Sequence, residues 1–301
     1  MKNTKDELVF DLHMHSHYSD GGCSLQQLFD RLHEQKVVAA SITDHNHIEA
    51  YQNLEGVQTY KIALVKGMEC NVGFKREYYH ILMYDFKDCP ALQKYLKLVR
   101  KDDVKFFKKG LRQLKKLYRL KFDRKKVNDF IAKNTYLDKV RLNNFLVEQK
   151  LASSGRDAFH KFTKPLPEKL GYIYPAKKFF ALVKKCGAIS ILAHPNKYLA
   201  FLQSEKKLQE VILQFKAMGL DGIEVFNNRQ TKRYEKLHLD FAKKHGFEWS
   251  GGSDFHKEFG QIERKKPGCV VGHNLTAQCY SPKLAQLIYK AMEKEKNKTG
   301  E

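Results

Sequence analysis

The segment Asp11-Leu12-His13-Met14-His15-Ser16 carries two imidazoles two residues apart. Side chains alternate along a strand, so His13 and His15 leave the same face and can reach one ion. A single His-x-His pair is common without a metal. Here it is followed by Asp20 in Ser19-Asp20-Gly21-Gly22, His45 after Thr43-Asp44, Glu69 after Gly67-Met68, His80, His194 before Pro195, and Asp254 and His256 in Gly251-Gly252-Ser253-Asp254-Phe255-His256. These nine imidazoles and carboxylates, with no thiolate among them, suit a borderline divalent ion such as Mn²⁺, Zn²⁺ or Fe²⁺ rather than Ca²⁺ or an iron–sulfur cluster. Nine donors are too many for one ion. Ions clustered ~3.5–4 Å apart are a recurrent device for phosphate-ester cleavage, one activating water while the others hold the phosphoryl and leaving oxygens.

Several short apolar runs each end in a polar cluster, most of them in these donors: 8–10, 37–42, 62–65, 78–82, 188–193, 222–226 and the stretch at Trp249. Between these runs, segments 25–35, 48–54, 177–185, 208–218 and 233–245 repeat apolar residues at three and four, as helices do. Strand, helix, strand at this spacing implies parallel βα units. In a (β/α) barrel all strands point one way, so residues at their C-terminal ends converge however distant in sequence.

With 301 residues, 42% of them hydrophobic, and 20 Phe and 15 Tyr, the chain can bury a full core, which excludes a mini-protein or a disordered chain. Its 55 Lys and Arg against 34 Asp and Glu give a net charge of +21, favouring polyanionic partners. The excess is local: residues 91–178 hold 25 Lys/Arg and 8 Asp/Glu, or +17. That stretch reads as helices, with Val104, Phe107, Leu111, Leu114 and Leu117 in one stripe, then Val127, Phe130 and Ile131, then Leu142, Phe145 and Leu146. It is too long for a loop and is expected as a helical insertion over the barrel mouth. Its lysines between Lys101 and Lys126 either track an RNA backbone or form a solvated face. The six cysteines show no C-x-x-C pair and read as reduced thiols. The start leaves no room for a secretory apolar core, and no apolar stretch reaches the ~18 residues that span a bilayer, so a soluble cytoplasmic protein without membrane attachment is expected. Residues 293–301 alternate charge and are expected to fray as a flexible tail.

Taken together, the motifs resemble the PHP (polymerase and histidinol phosphatase) superfamily of metal-dependent phosphoesterases, and within it the branch of nucleoside 3′,5′-bisphosphate phosphatases and 5′→3′ exoribonucleases. The matching segments are Asp11 to Ser16, Ser19-Asp20-Gly21, Thr43-Asp44-His45, Gly67-Met68-Glu69, His80, Leu192-Ala193-His194-Pro195, Gly222-Ile223-Glu224-Val225 and Gly251 to His256, in the family order. The resemblance implies an α/β fold, a distorted (β/α)7 barrel of PHP type. Residues 1–90 and 176–292 would form the barrel, and 91–175 the basic helical lid. It also implies two or three divalent metal ions. One would take His13, His15, Glu69 and Asp254; a second would share Glu69 and take His80 and His194; a third would take Asp20, His45 and His256. Glu69, Asp254 and His194 are the expected catalytic residues.

By the same resemblance Arg141 would bind substrate phosphate, a task suited to a planar bidentate donor, with Asn143 and Lys164 nearby. Asn143 is a departure, since the family often has histidine there. Asp11 and Asp44 are expected to orient imidazoles; His17 and His47 to be exposed and without a role; Ser253 to be structural; and Cys70 to point away from Glu69. The implied reaction is phosphate-ester hydrolysis by a metal-bound hydroxide, on nucleoside 3′,5′-bisphosphates or 5′-phosphorylated short single-stranded RNA. Two rivals remain: a histidinol-phosphate phosphatase, which would not need so basic an insertion, and an RNA-binding module with structural metals.

Overall fold

The structure, a computed structural model, describes residues 8–166, 172–227, 230–256, 271–272 and 275–299. The first part of the chain runs β1 (Val9–Met14), α1 (Leu25–Glu34), β2 (Val37–Ile42), α2 (Glu49–Gln52), β3 (Ala63–Leu64), β4 (Gly67–Phe74) and β5 (Glu77–Tyr84). Four helices follow without a strand: α3 (Pro90–Tyr118), α4 (Arg124–Lys133), α5 (Lys139–Glu148) and α6 (Gly155–Ala158), the last continued by a π-helical turn at Phe159–Thr163. The chain then forms β6 (Tyr174–Pro175), α7 (Ala176–Cys186), β7 (Ile189–Leu192), α8 (Leu199–Leu202), α9 (Glu205–Met218), β8 (Gly222–Asn227), α10 (Lys232–His245), β9 (Glu248–Gly252) and α11 (Pro282–Thr299).

The described strands lie in two sheets, β1-β2-β3 and β6-β4-β5-β7-β8-β9. Single bridges tie them together where strands end: Met14 to Phe255, beyond β9, and His45, beyond β2, to Glu69 in β4. Uniformly parallel βα units do not account for the second sheet, because β5 runs antiparallel to both β4 and β7. The cause is a two-residue hairpin at Lys75-Arg76, both at positive φ (50° and 68°), the geometry that matches strand twist. Neither residue is the glycine or asparagine that advertises such a turn, so the reversal is invisible in the local pattern. It still serves the site. Reversing β5 puts its early residue His80 beside the end of β7, where the Ala193 N–H donates to the His80 carbonyl at 3.0 Å.

Along β1 the even positions Phe10, Leu12 and Met14 pack into apolar clusters, leaving Asp11 and His13 on the opposite face. The largest cluster packs Met68, Cys70, Val72, Tyr79 and Ile81 against α7, α9 and α10; Cys70 thus turns away from Glu69. Helices α3 to α6 share an apolar cluster of their own, built on Phe107, Leu114, Phe130, Leu142, Phe145 and Leu146. Leu117, read as part of that stripe, is 56% exposed. The first turns of α3 bury Leu92, Tyr95 and Val99 in the main cluster instead. Residues 293–299, expected to fray, continue α11, where alternating charge permits pairs one turn apart such as Lys298 to Glu295 at 2.8 Å. Residues 300–301, 167–171 of the proposed lid, Asn228 and Cys269 lie outside the described residues. No described helix is long and apolar enough to cross a membrane.

Candidate metal centre

All nine sequence-selected donors meet in one constellation, with Glu69 at its middle. Glu69 Oε1 lies 2.8 Å from His80 Nδ1 and 3.0 Å from His194 Nε2. Its Oε2 lies 3.1 Å from His45 Nδ1, 3.2 Å from His15 Nε2 and 3.5 Å from His13 Nε2. Asp254 Oδ1 stands 3.5 Å from His13 and His15 and 3.4 Å from His256. Asp20 closes the outer side, 3.2 Å from His256 Nε2 and 3.5 Å from His45 Nε2; it is the most open of the carboxylates, its side chain 31% exposed.

The donors fall into three groups compact enough to hold an ion each: His13, His15, Glu69 and Asp254; His45, Glu69 and His80; and His15, Asp20, His45 and His256. The first is the set expected for one ion. The others differ from expectation in that His15 and His45 each face two groups, while His194 approaches Glu69 from outside the compact triplet. Several atoms facing this space have no hydrogen-bond partner: His13 Nε2, His15 Nε2, His45 Nδ1 and Glu69 Oε2. A buried polar atom without a partner is costly, and so many turned toward one small space fit bound cations.

Carboxylates and imidazoles stabilise one another's charged forms: against burial, His13 is raised by Glu224, Glu69 and Asp254, and His256 by Asp20 and Asp254. Burial alone would raise the Glu69 carboxyl, but His80, His45 and His13 hold it well below the ordinary range. Asp254 and Asp20 are likewise held down, against burial, by His13 and by His45 and His256 respectively. Burial drives His80 down to about 3, leaving it a neutral imidazole.

Close approach of backbone builds the cluster. A Cβ on Gly252 would sit 2.1 Å from His13 Cβ, so only glycine lets β9 run beside His13; on Gly21 it would meet the His15 carbonyl oxygen at 2.4 Å. His194 (φ 29°) and Asp254 (φ 51°) occupy the left-handed region, a strain typical of functional sites. Hydrogen bonds hold both: the Asp254 N–H donates to the His13 carbonyl at 2.8 Å, and the His194 N–H to Glu224 Oε2 at 2.7 Å.

Glu224 is the residue to which sequence reasoning gave no role. It is fully buried, with Oε1 2.9 Å from His13 Nδ1. With its proton on Nδ1, shared with that carboxylate, a neutral His13 would turn its Nε2 lone pair toward Glu69. A glutamate inside the apolar run Gly222 to Phe226 was the available signal. The aspartates expected in this role do something else. Asp11 accepts from the backbone N–H groups of His13, Ser253 and Gly272, pinning β1 to the segment after β9. Asp44 accepts from Ser16 and Ser19, at 2.6 Å to each hydroxyl, and reaches His15 only through Ser19.

Arg141, at the start of α5, reaches the rim of the cluster, its Nη2 donating to the carbonyls of His17 and Ser19 beside Asp20. Asn143 and Lys164 do not join the nine in any described contact: Asn143 Oδ1 accepts from Thr163 Oγ1 at 2.6 Å, and Lys164 is exposed. His17 is half-buried.

His47 corrects the expectation of an exposed bystander. It is 3% exposed, with Nε2 3.2 Å from Asp103 of α3 and Nδ1 3.2 Å from Glu49. Burial disfavours its charge, but hydrogen bonds to Asp103 and Glu49 outweigh burial and raise it to about 9. The charged form is therefore bound more tightly in the folded state. Its contribution is complete below about pH 6.5 and fades as pH rises to about 9. In urea unfolding, His47→Gln is expected to cost on the order of 2 kcal/mol at pH 6 and little at pH 9.5; a pH-independent difference would remove the ion pair from the explanation.

Comparison with known proteins places this geometry. Residues 11–167 match the family model of the PHP domain. A 5′-3′ exoribonuclease of Haemophilus influenzae is 28% identical over 269 residues, covering 85% of this chain and 93% of that protein. A 3′,5′-nucleoside bisphosphate phosphatase of Chromobacterium violaceum is 24% identical over 286 residues, covering 90% and 98%. The fold is shared with a protein of Bifidobacterium adolescentis assigned as a metal-dependent phosphoesterase, at a TM-score of 0.69 and 19% identity over 95% of this chain and 96% of that one.

Proposed function

The chain belongs to the PHP domain family of metal-dependent phosphoesterases, and from that premise we propose that it hydrolyses nucleoside 3′,5′-bisphosphates and the 5′-phosphorylated ends of short RNA. The observation that carries the reading is the ring of partnerless buried donors around Glu69. Two or three divalent ions held there would activate water and neutralise charge on the phosphoryl oxygens. Glu69 would bridge, with His13, His15 and Asp254 on one side and His80 and His194 on the other, while Asp20, His45 and His256 hold the outer position. Glu224 keeps His13 and the His194 backbone in register. Both substrates suit one site, because removing the 3′-phosphate of a bisphosphate and cleaving after a 5′-phosphorylated nucleotide break the same bond between phosphorus and the 3′-oxygen.

We read eight of the nine described strands, all but β6, as a distorted barrel of 1–90 and 176–292. Residues 91–175 act as a lid, held to the rim by Arg141 and by Asp103. Arg141 would hold the second phosphate with its remaining donors, Asn143 and Lys164 lining the approach. After chelation and reconstitution with Mn²⁺, a panel of phosphorylated substrates tests the reading. Adenosine 3′,5′-bisphosphate or a 5′-phosphorylated oligoribonucleotide is expected to exceed histidinol phosphate and an aryl phosphate by about 10²-fold in kcat/KM, the size of a lost charge-pair contact. Equal rates on all four would sink it.

The exposed lysines of α3 and α4 decide between the two preferred substrates. If they follow an RNA backbone, log kcat/KM on the oligonucleotide falls with log salt more steeply than on the bisphosphate, by about 0.7 for each additional phosphate neutralised. Reversing charge at Lys115, Lys116, Lys125 and Lys126 is then expected to weaken the oligonucleotide reaction selectively. Parallel salt curves would make these lysines a solvated face.

A further inference from the structure

Cys89 and Cys186 are 97 residues apart in sequence, yet their Sγ atoms lie 2.8 Å from each other. That is inside ordinary sulfur contact and about 0.8 Å from a covalent bond. Both backbones are pinned. Cys89 caps the N-terminus of α3, its carbonyl accepting from the Gln93 N–H at 3.1 Å, and Cys186 ends α7, its carbonyl accepting from the Lys87 N–H at 3.0 Å. One cysteine thus stands where the chain enters the helical insertion and the other at the end of the helix that follows it.

We propose that these two thiols are a redox modification site, closed to a disulfide by a hydroperoxide and reopened by a reducing thiol, which clasps the base of the insertion. Among the described cysteines only Cys89 is partly exposed; Cys23, Cys70, Cys186 and Cys279 are buried. The hydrogen bond from Cys186, with the backbone N–H groups of Leu92 and Ala91 at the helix start, lowers the Cys89 thiol against its partial burial. Burial raises Cys186 to about 12. The roles follow from this difference.

Cys89 thiolate attacks a peroxide oxygen, forming an S–O bond, breaking the O–O bond and releasing hydroxide. Cys186 sulfur then attacks Cys89 sulfur, forming the S–S bond and expelling hydroxide, while the Cys186 proton passes to water. In sum, two thiols and one hydrogen peroxide give one disulfide and two waters.

The test uses the full metal-loaded chain treated with hydrogen peroxide, alkylated and digested without reductant. Free thiols are expected to fall from six to four. One peptide pair joined through Cys89 and Cys186 is expected, with complete reversal by a phosphine reductant. The linked protein is expected to melt about 5 °C higher, since the bond closes a loop of nearly a hundred residues. Cys186→Ala is expected to lose the link and leave Cys89 as a trappable sulfenic acid; Cys89→Ser should keep all five remaining thiols. Because linkage is read on the unsubstituted chain, a folding defect in either variant does not decide the outcome. Oxidation of Cys89 with Cys186 left free, or linkage through any other cysteine, would overturn the proposal.

Discussion

Glu69→Gln is expected to lower phosphoesterase activity by roughly 10³-fold or more and to leave the purified protein short of at least one metal ion per chain. The amide is nearly isosteric, so the fold should survive. Its consequence is electrostatic. Glu69 is buried among five imidazoles at 2.8–3.5 Å and offers one oxygen to His80 and His194, the other to His13, His15 and His45. An amide has one acceptor oxygen and one donor NH2 group, so it cannot present lone pairs to both sides. Metal analysis after Mn²⁺ reconstitution, with the melting temperature, checks this. Full metal content and activity within tenfold of the unsubstituted chain would mean that Glu69 is not the bridge.

The second large effect lies one layer out. Glu224→Gln is expected to weaken metal binding or activity by about 10–100-fold, the usual range for a residue that orients a ligand. Every contact to Glu224 makes it an acceptor: Oε1 faces His13 Nδ1, while Oε2 takes the His194 N–H and the Asn227 side-chain amide at 3.2 Å. Whichever way the amide of glutamine is turned, its NH2 meets a donor. If it faces His13, the ring must flip its proton toward the metal side; if it faces His194, the strained backbone there loses its support. Binding isotherms for Mn²⁺ would show the loss, and Glu224→Asp, which restores charge but not reach, should recover only part. An unchanged isotherm for Glu224→Gln would demote this carboxylate to packing.

A similar logic governs pH. Charged His47 links Asp103 of α3 to the loop after β2, so α3 is held to that loop more firmly at pH 6 than at pH 9.5. The buried stripe of α3 shows why a carboxylate is tolerated there: Asp103 falls between Val99 and Phe107, at a position that would otherwise be apolar, because its partner arrives from another element.

The nine donors that gather around Glu69 were picked out from the chain alone, since most of them interrupt or end an apolar run, and strand alternation states which face they leave. The helix over residues 104–117 was legible too, because Phe107, Leu111 and Leu114 repeat at the helical period. Local patterns of this kind report element type and face; they carry nothing about which distant element lies opposite. The reversal of β5, set by positive φ at Lys75 and Arg76, therefore escaped notice, as did the continuation of α11 through the charged tail. For the same reason Glu224 had no role until His13 stood 2.9 Å away from 211 positions earlier, His47 looked exposed until Asp103 covered it, and Cys89 and Cys186 read as separate thiols. Residue type and spacing by themselves determined which candidate metal donors this protein carries. Tertiary packing alone decided how that chemistry is held, because orientation and charge in a buried site depend on partners that only folding brings within hydrogen-bonding distance.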